Sequence, residues 1–252
     1  MTSEQQRNID LIIKSLNKFG ITNQYLQAGI LATVSKEADF IPKSESLYYK
    51  TAEGLKKTYP SIFPTIESAK PYVGNSEATA NKVYGGKYGN TDIGDGYKFR
   101  GRGFHQLTFK GNYDKYGKMI GVDLVSNPER LNDPQIAADV LAAFFSEELK
   151  NAVRSGKIKN YGVSDTNQIK DTLTGTRIAI QTNAGWGKDI NNSVDKKGLN
   201  DALEKVNTLY NYTNSVVADG LRQTQRNPIG VTLLVIGLIA SAYVIYNRKE
   251  LF

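Results

Sequence analysis

Two carboxylates and one glycine-flanked strip hold the residue types in this chain that could do chemistry. Glu37 and Glu45 stand eight positions apart, and a pair of carboxyl groups can divide general-acid from general-base work. The strip runs from Tyr97 to Tyr113, YKFRGRGFHQLTFKGNY. Gly101, Gly103 and Gly111 bracket the alternation Phe104-His105-Gln106-Leu107-Thr108, which puts Gln106 and Thr108 on one side and Leu107 on the other. Glycine there lets backbone approach a ligand or a packed helix. Amide and hydroxyl side chains on a Tyr-rich strip suit a polyhydroxylated ligand. Taken alone, the strip fits a buried hairpin with ordinary turn glycines even better.

Composition removes other chemistries. The chain has no cysteine and one histidine, His105. Disulfides and thiolate zinc sites are therefore excluded, as are zinc hydrolases that need two or three imidazoles. A Ser-His-Asp arrangement would have to run through His105, and there is no G-x-S-x-G elbow. No G-x-x-x-x-G-K-[ST] phosphate loop appears. Carboxylates are left as the acid and base of any enzymatic reaction, with no metal or cofactor required. Apolar content of 40% over 252 residues supports a real core. A net charge of +7 suits an anionic partner such as an acidic wall polymer or anionic lipid, and equally a merely basic surface. Lys and Arg are scattered with no basic-aromatic strip, so no nucleic-acid partner is expected.

The elements that must position these groups read as mainly helical. Ser3 can cap a first helix with Ile9, Ile12, Ile13 and Leu16 on one stripe, stopped by Gly20. A second helix starts near Thr22 or Asn23 and reaches about Ala38. Pro134 to Leu149 reads as a third, and Asp189 to about Val217 as a fourth. The stretch 72–113, rich in Gly, Tyr and Asn, reads as loop with short strands or turns.

The second helix carries Glu37. Leu26, Ile30, Thr33 and Glu37 fall at i, i+4, i+7 and i+11, and eleven residues at about 100° each return to within about 20° of the start. Glu37 is thus expected on the inward face, in the last turn. Burial and the helix dipole both disfavour its ionised form there. Glu45 lies in the polar loop SESLYYK and is expected to be solvated. A half-buried acid beside a solvated carboxylate is the division of labour of a glycosidase. A frayed helix-end glutamate and a surface charge are the plain alternatives for the two residues.

Four blocks together resemble glycoside hydrolase family 19, and within it the short chitinase-like endolysins of bacteriophages. They are KEADF at 36–40, ESLYY at 45–49, NKVYGGKYGN at 81–90 and GDGYKFRGRGFHQLTFKGNY at 94–113. TNAGWG at 182–187 is a fifth, weaker block, and the likeness covers roughly residues 20–215. The resemblance implies a lysozyme-like, two-lobed helical fold with a cleft. It also implies inverting hydrolysis of a β-1,4 linkage next to an N-acetylated amino sugar. On that resemblance Glu37 is the catalytic acid and Glu45 the residue that activates water. Gln106, Thr108 and Asn112 match the block that holds sugar and water, and Asn183 matches the family's late Asn. Tyr48, Tyr97 and Trp186 are candidate platforms for sugar faces, on chemistry more than on motif. Lys36 stands where the family usually has His, Ser46 replaces an Asn, Ala184 a Gly, and Phe144-Phe145 the aromatic-Trp pair.

The last segment reads differently. Ile229 to Tyr246, IGVTLLVIGLIASAYVIY, is an uncharged run of 18, about 27 Å as a helix and long enough to cross a hydrocarbon core. The expected organisation is a hydrolase domain over 1–218, a linker over 219–227, a transmembrane helix over 228–247 and a charged tail over 248–252. Positive residues flank both ends, so orientation is not fixed. The N-terminus, MTSEQQRNID, has no apolar signal core. The combined expectation is a membrane-anchored peptidoglycan hydrolase, carried in a virion with an internal lipid membrane or acting in host lysis. Its partners would be glycan strands, lipid through 229–246, and other virion proteins. A non-catalytic wall-binding membrane protein and a chitinase are the alternatives.

Overall fold

The computed structural model describes residues 1–186, 205–206 and 208–211, and these are mainly helical. Helix α1 (Ser3–Lys18) is capped by Thr2 rather than Ser3, in a reciprocal box with Gln5. Its stripe of Ile9, Ile12, Ile13 and Leu16 is buried as expected. Helix α2 (Gln24–Ala38) starts at Asn23, whose side chain accepts from the amides of Tyr25 and Leu26. Every residue from Leu26 to Ser35 is buried, so α2 is enclosed on all sides. Two successive left-handed residues, Asp39 (φ 49) and Phe40 (φ 59), end it. Their carbonyls accept from the side chains of Gln5 and Asn8, which pins the turn to α1.

The chain then enters β1 (Lys43–Ser44), which pairs antiparallel with β2 (Arg102–Gly103), Lys43 opposite Gly103. Between them lie α3 (Ala52–Thr58), α4 (Ile66–Ala69), α5 (Ser76–Tyr84) and α6 (Asp95–Lys98). Ala52, Leu55, Phe63, Ala69 and Val83 form one apolar cluster there. The expectation of loop over 72–113 is therefore corrected: α5, α6 and the start of α7 (Lys110–Ile120) fall inside it. Asn75 caps α5, and these short helices depend on packing rather than propensity, which leaves little local signal. A second cluster, with Phe99, Leu107, Tyr113, Tyr116, Leu131 and Val140, lies under α7 and α8 (Pro134–Arg154). Helix α8 runs five residues beyond the expected Leu149.

Helix α9 (Thr172–Ala184) packs on α2 through facing glycines. A Cβ on Gly29 would stand 2.7 Å from the backbone of Gly175 and Thr176. Asn23 reaches the Ile169 carbonyl at 2.9 Å, so the two helices run in the same direction. The fourth expected helix, 189–217, lies mostly outside the described residues, within which 205–206 and 208–211 are helical. The linker 219–227, the span 228–247 and the tail 248–252 also lie outside them. Among the described residues no helix is long and apolar enough to cross a membrane.

Candidate functional site

Glu45 sits at the seam between the two apolar clusters, on the loop that leaves β1. Its carboxylate accepts from the Tyr84 hydroxyl at both oxygens, 3.0 Å at Oε1 and 2.9 Å at Oε2. The Gly101 amide makes a longer contact of 3.4 Å to Oε2. The backbone is fixed as well: the Glu45 amide donates to the Gly101 carbonyl at 2.8 Å, and Arg100 Nε donates to the Glu45 carbonyl at 3.1 Å. Tyr84 comes from the last turn of α5, and Gly101 from the loop entering β2. The seam thus holds Glu45 from both sides.

Gln106 faces the same point. A Cβ on Gly101 would lie 3.0 Å from Gln106 Oε1 and 3.2 Å from Glu45 Oε2, so only a glycine lets amide and carboxylate close on the backbone together. Gln106 Nε2 donates to the carbonyls of Lys43 and Gly103, both at 3.0 Å, which leaves its oxygen toward the site. Residues 102–107 form a tight hairpin closed by reciprocal backbone bonds of Arg102 and Leu107. Leu107 is buried while Gln106 and Thr108 are half-buried, as the alternation predicts. Thr108 Oγ1 donates to the Gln106 carbonyl and Asn112 Nδ2 to the Thr108 carbonyl, at 3.0 and 2.8 Å. The structure therefore brings Glu45, Gln106, Thr108 and Asn112 together.

Burial of the two carboxylates is the reverse of the expectation. Glu37 is exposed and Glu45 half-buried. Counting faces from Leu26 fails because α2 is enclosed all round. Its last turn then leaves the packing, exposing Lys36 and Glu37 whatever face they share. Among the described residues Glu37 makes no hydrogen bond or ion pair. Beside it, Ser35, Asp39 and Phe40 line a cavity of about 310 Å³ with Gln5, Lys205 and Leu209.

The other candidates divide. Tyr97 lies next to Glu45 through Arg100, whose guanidinium covers one ring face at 4.0 Å and donates to the Tyr97 carbonyl. Tyr48, three residues from Glu45, is 54% exposed and free to receive a sugar ring. Asn183 is half-buried in the last turn of α9. The parallel course of α9 and α2 puts it toward the same end of the pair as Glu37. Trp186 does not join the cluster. It meets Tyr161 edge-on at 6.0 Å and lines a cavity with Asn151, Arg154 and Ser155 at the C-terminal end of α8. The Glu45 site adjoins the other end of that helix, where Asn132 Nδ2 donates to Ser44 Oγ at 2.9 Å. Helix α8 itself, 21 residues long, spans about 30 Å between its ends.

Three residues of the site lie inside the quoted blocks, yet nothing in their spacing marks a role for them. Tyr84 and Arg100 are two. The third, Arg102, is fully buried and holds Glu129 through two bonds of 2.9 Å. It also donates to the Lys98 carbonyl and the Tyr113 hydroxyl at 2.7 and 3.0 Å. This buried fork fixes the loop that presents Arg100 and Gly101. His105, which any nucleophilic triad would need, packs on Phe144 with its ring tilted by 31° and the centroids 4.9 Å apart. Both its ring nitrogens are buried without a partner, and burial pushes its pKa down to about 4. It has no nucleophile to activate.

The backbone is strained around the same place. Leu47 (φ 54), Tyr88 (φ 44), Gln106 (φ 55) and Phe109 (φ 77) are non-glycine residues with left-handed φ. Such positions cost about 1–3 kcal/mol each and gather at functional sites.

Comparison with known proteins gives the family. The glycoside hydrolase family 19 model, described as chitinase class I, matches residues 61–188, half of the chain. A glycosyl hydrolase family 19 domain-containing protein of Haemophilus influenzae is 39% identical over 116 residues. That match covers 45% of this chain and 58% of the relative. The chain belongs to glycoside hydrolase family 19. The matched residues include Tyr84, Gly101, Gln106, Thr108, Asn112 and Asn183; Glu37 and Glu45 precede the match.

Proposed function

We propose that the protein is a glycoside hydrolase that cuts β-1,4 linkages next to N-acetylated amino sugars of peptidoglycan, with inversion. The observation that carries this reading is the Glu45 carboxylate held against Gln106 over Gly101, the latter two in a strip matched to a family of sugar-cleaving enzymes. Glu45 would take a proton from the attacking water, which Gln106 and Thr108 help to place. Glu37, exposed at the end of α2, would give its proton to the leaving glycosidic oxygen. Inversion calls for carboxyl groups about 6.5–9.5 Å apart, leaving room for that water. Tyr48 and Tyr97 would bind sugar rings. The chemistry needs no metal or cofactor, because the two carboxyl groups supply both acid and base.

The family's description as chitinase class I favours chitin as a second substrate reading. Reducing-end release from purified sacculi and from chitin, with mass spectrometry of the products, separates the two. Glu37→Gln, if folded, is expected to abolish release from both. Full activity in that variant refutes the acid assignment. Binding of wall without release by the parent protein indicates a non-catalytic wall-binding protein instead.

The proposal extends to location. The uncharged run at 229–246 supports anchoring in a lipid membrane, and a virion with an internal membrane would give a wall-opening enzyme that setting during entry. Flotation of the full chain with liposomes tests the anchor; a chain that stays at the bottom of the gradient rules it out.

A further inference from the structure

Glu45 leaves β1 on a loop, where nothing in the secondary structure fixes a carboxylate. The fixing comes from a hydroxyl. Tyr84 touches both carboxylate oxygens almost equally, at 3.0 and 2.9 Å, so the group is held symmetrically about its axis. Tyr84 is itself immobilised. Its ring meets Phe109 edge-on at 5.5 Å, and its carbonyl accepts from Asn90 Nδ2 at 3.0 Å. The Tyr49 and Tyr59 rings pack edge-to-face at 5.9 Å, and Tyr59 packs on Phe63 in the α3–α5 cluster. Tyr84 thus ties an apolar cluster to one carboxylate.

Apolar filling does not explain this arrangement, since phenylalanine would fill the same space without burying hydroxyls. Burial and then the negative charge of Glu45 raise the pKa of Tyr84 well above its usual value. Burial does the same for Tyr59. The hydroxyls therefore remain protonated, and Tyr84 remains a donor whenever Glu45 is ionised.

We propose that Tyr84 is a positioning residue that holds the Glu45 carboxylate against Gln106. The role as a positioner of the water-activating base rests on the hydrolase reading above. The charged and polar groups around the carboxylate are Tyr84, the Arg100 guanidinium on its own backbone carbonyl, the Gly101 amide and Gln106.

Tyr84→Phe in the full-length protein tests it. The expected result is an unchanged circular dichroism spectrum, turnover lowered about 10- to 100-fold and KM within about twofold. A second measurement is independent of turnover: a crystal structure of Tyr84→Phe, in which the Glu45 carboxylate should leave its place beside Gly101 and Gln106 while the backbone is unchanged. A carboxylate that keeps its place overturns the inference even if activity falls. A displaced carboxylate in a protein that hydrolyses no glycan upholds the hydroxyl's hold on Glu45 and sinks the hydrolase reading instead.

Discussion

Gly101→Ala is the sharpest perturbation of the proposed site. Gly101 does not have left-handed φ, so alanine meets no backbone strain, and the effect is purely one of space. The new methyl carbon would stand 3.0 Å from Gln106 Oε1 and 3.2 Å from Glu45 Oε2, against ordinary contacts of about 3.5 Å or more. Each polar group must retreat by a few tenths of an ångström. Neither is free to do so without stretching other bonds. Gln106 is tied to two carbonyls, and Glu45 to Tyr84. The crowding costs about 1 kcal/mol, and the loss of glycine's freedom in the unfolded chain returns about 0.4–1 kcal/mol. Net stability should barely change, with Tm within about 2–4 °C of the parent. Turnover is more sensitive. A 1 Å misplacement can cost about 100-fold, so shifts of a few tenths on two groups should cost about tenfold. The assay pairs a thermal melt with reducing-end release from sacculi. Parent-like turnover at parent-like Tm would show that Gln106 and Glu45 need not meet over Gly101, and the reasoning would be wrong.

Two further predictions concern the scaffold. Gly29→Ala should lower stability by about 3 kcal/mol, since its Cβ would lie 2.7 Å from α9 backbone that cannot rotate away; a Tm drop under about 3 °C in a thermal melt would contradict the close α2–α9 crossing. His105 gives a pH signature. Its folded pKa, near 4, lies below the unfolded value of about 6.5, so the unfolded chain binds more protons between those values. Stability should fall as pH drops from about 6.5 to 4, by an amount on the order of 3 kcal/mol. His105→Leu should flatten that part of the Tm–pH curve, and an unchanged slope would place the acid sensitivity elsewhere.

The sequence by itself determined the elements whose signals are local. Caps and apolar spacing were enough to predict α1, α2 and most of α8, because hydrogen bonding at helix ends and the 3.6-residue period act within a few residues. Alternation correctly put Leu107 inside with Gln106 and Thr108 away from it. Short sequence blocks were enough to indicate the family. Only the tertiary structure decided how the two carboxylates are exposed. Whether a helix face is inward depends on what surrounds it, and α2 is surrounded everywhere except at its last turn, where Glu37 lies. It also decided who holds Glu45: Tyr84 lies 39 residues away in the chain and Gly101 lies 56 away. Trp186, close to Asn183 in sequence, is carried to the far end of α8. Contacts across such separations leave no periodic trace, since they arise only when the packed clusters on either side of the seam bring the loops together.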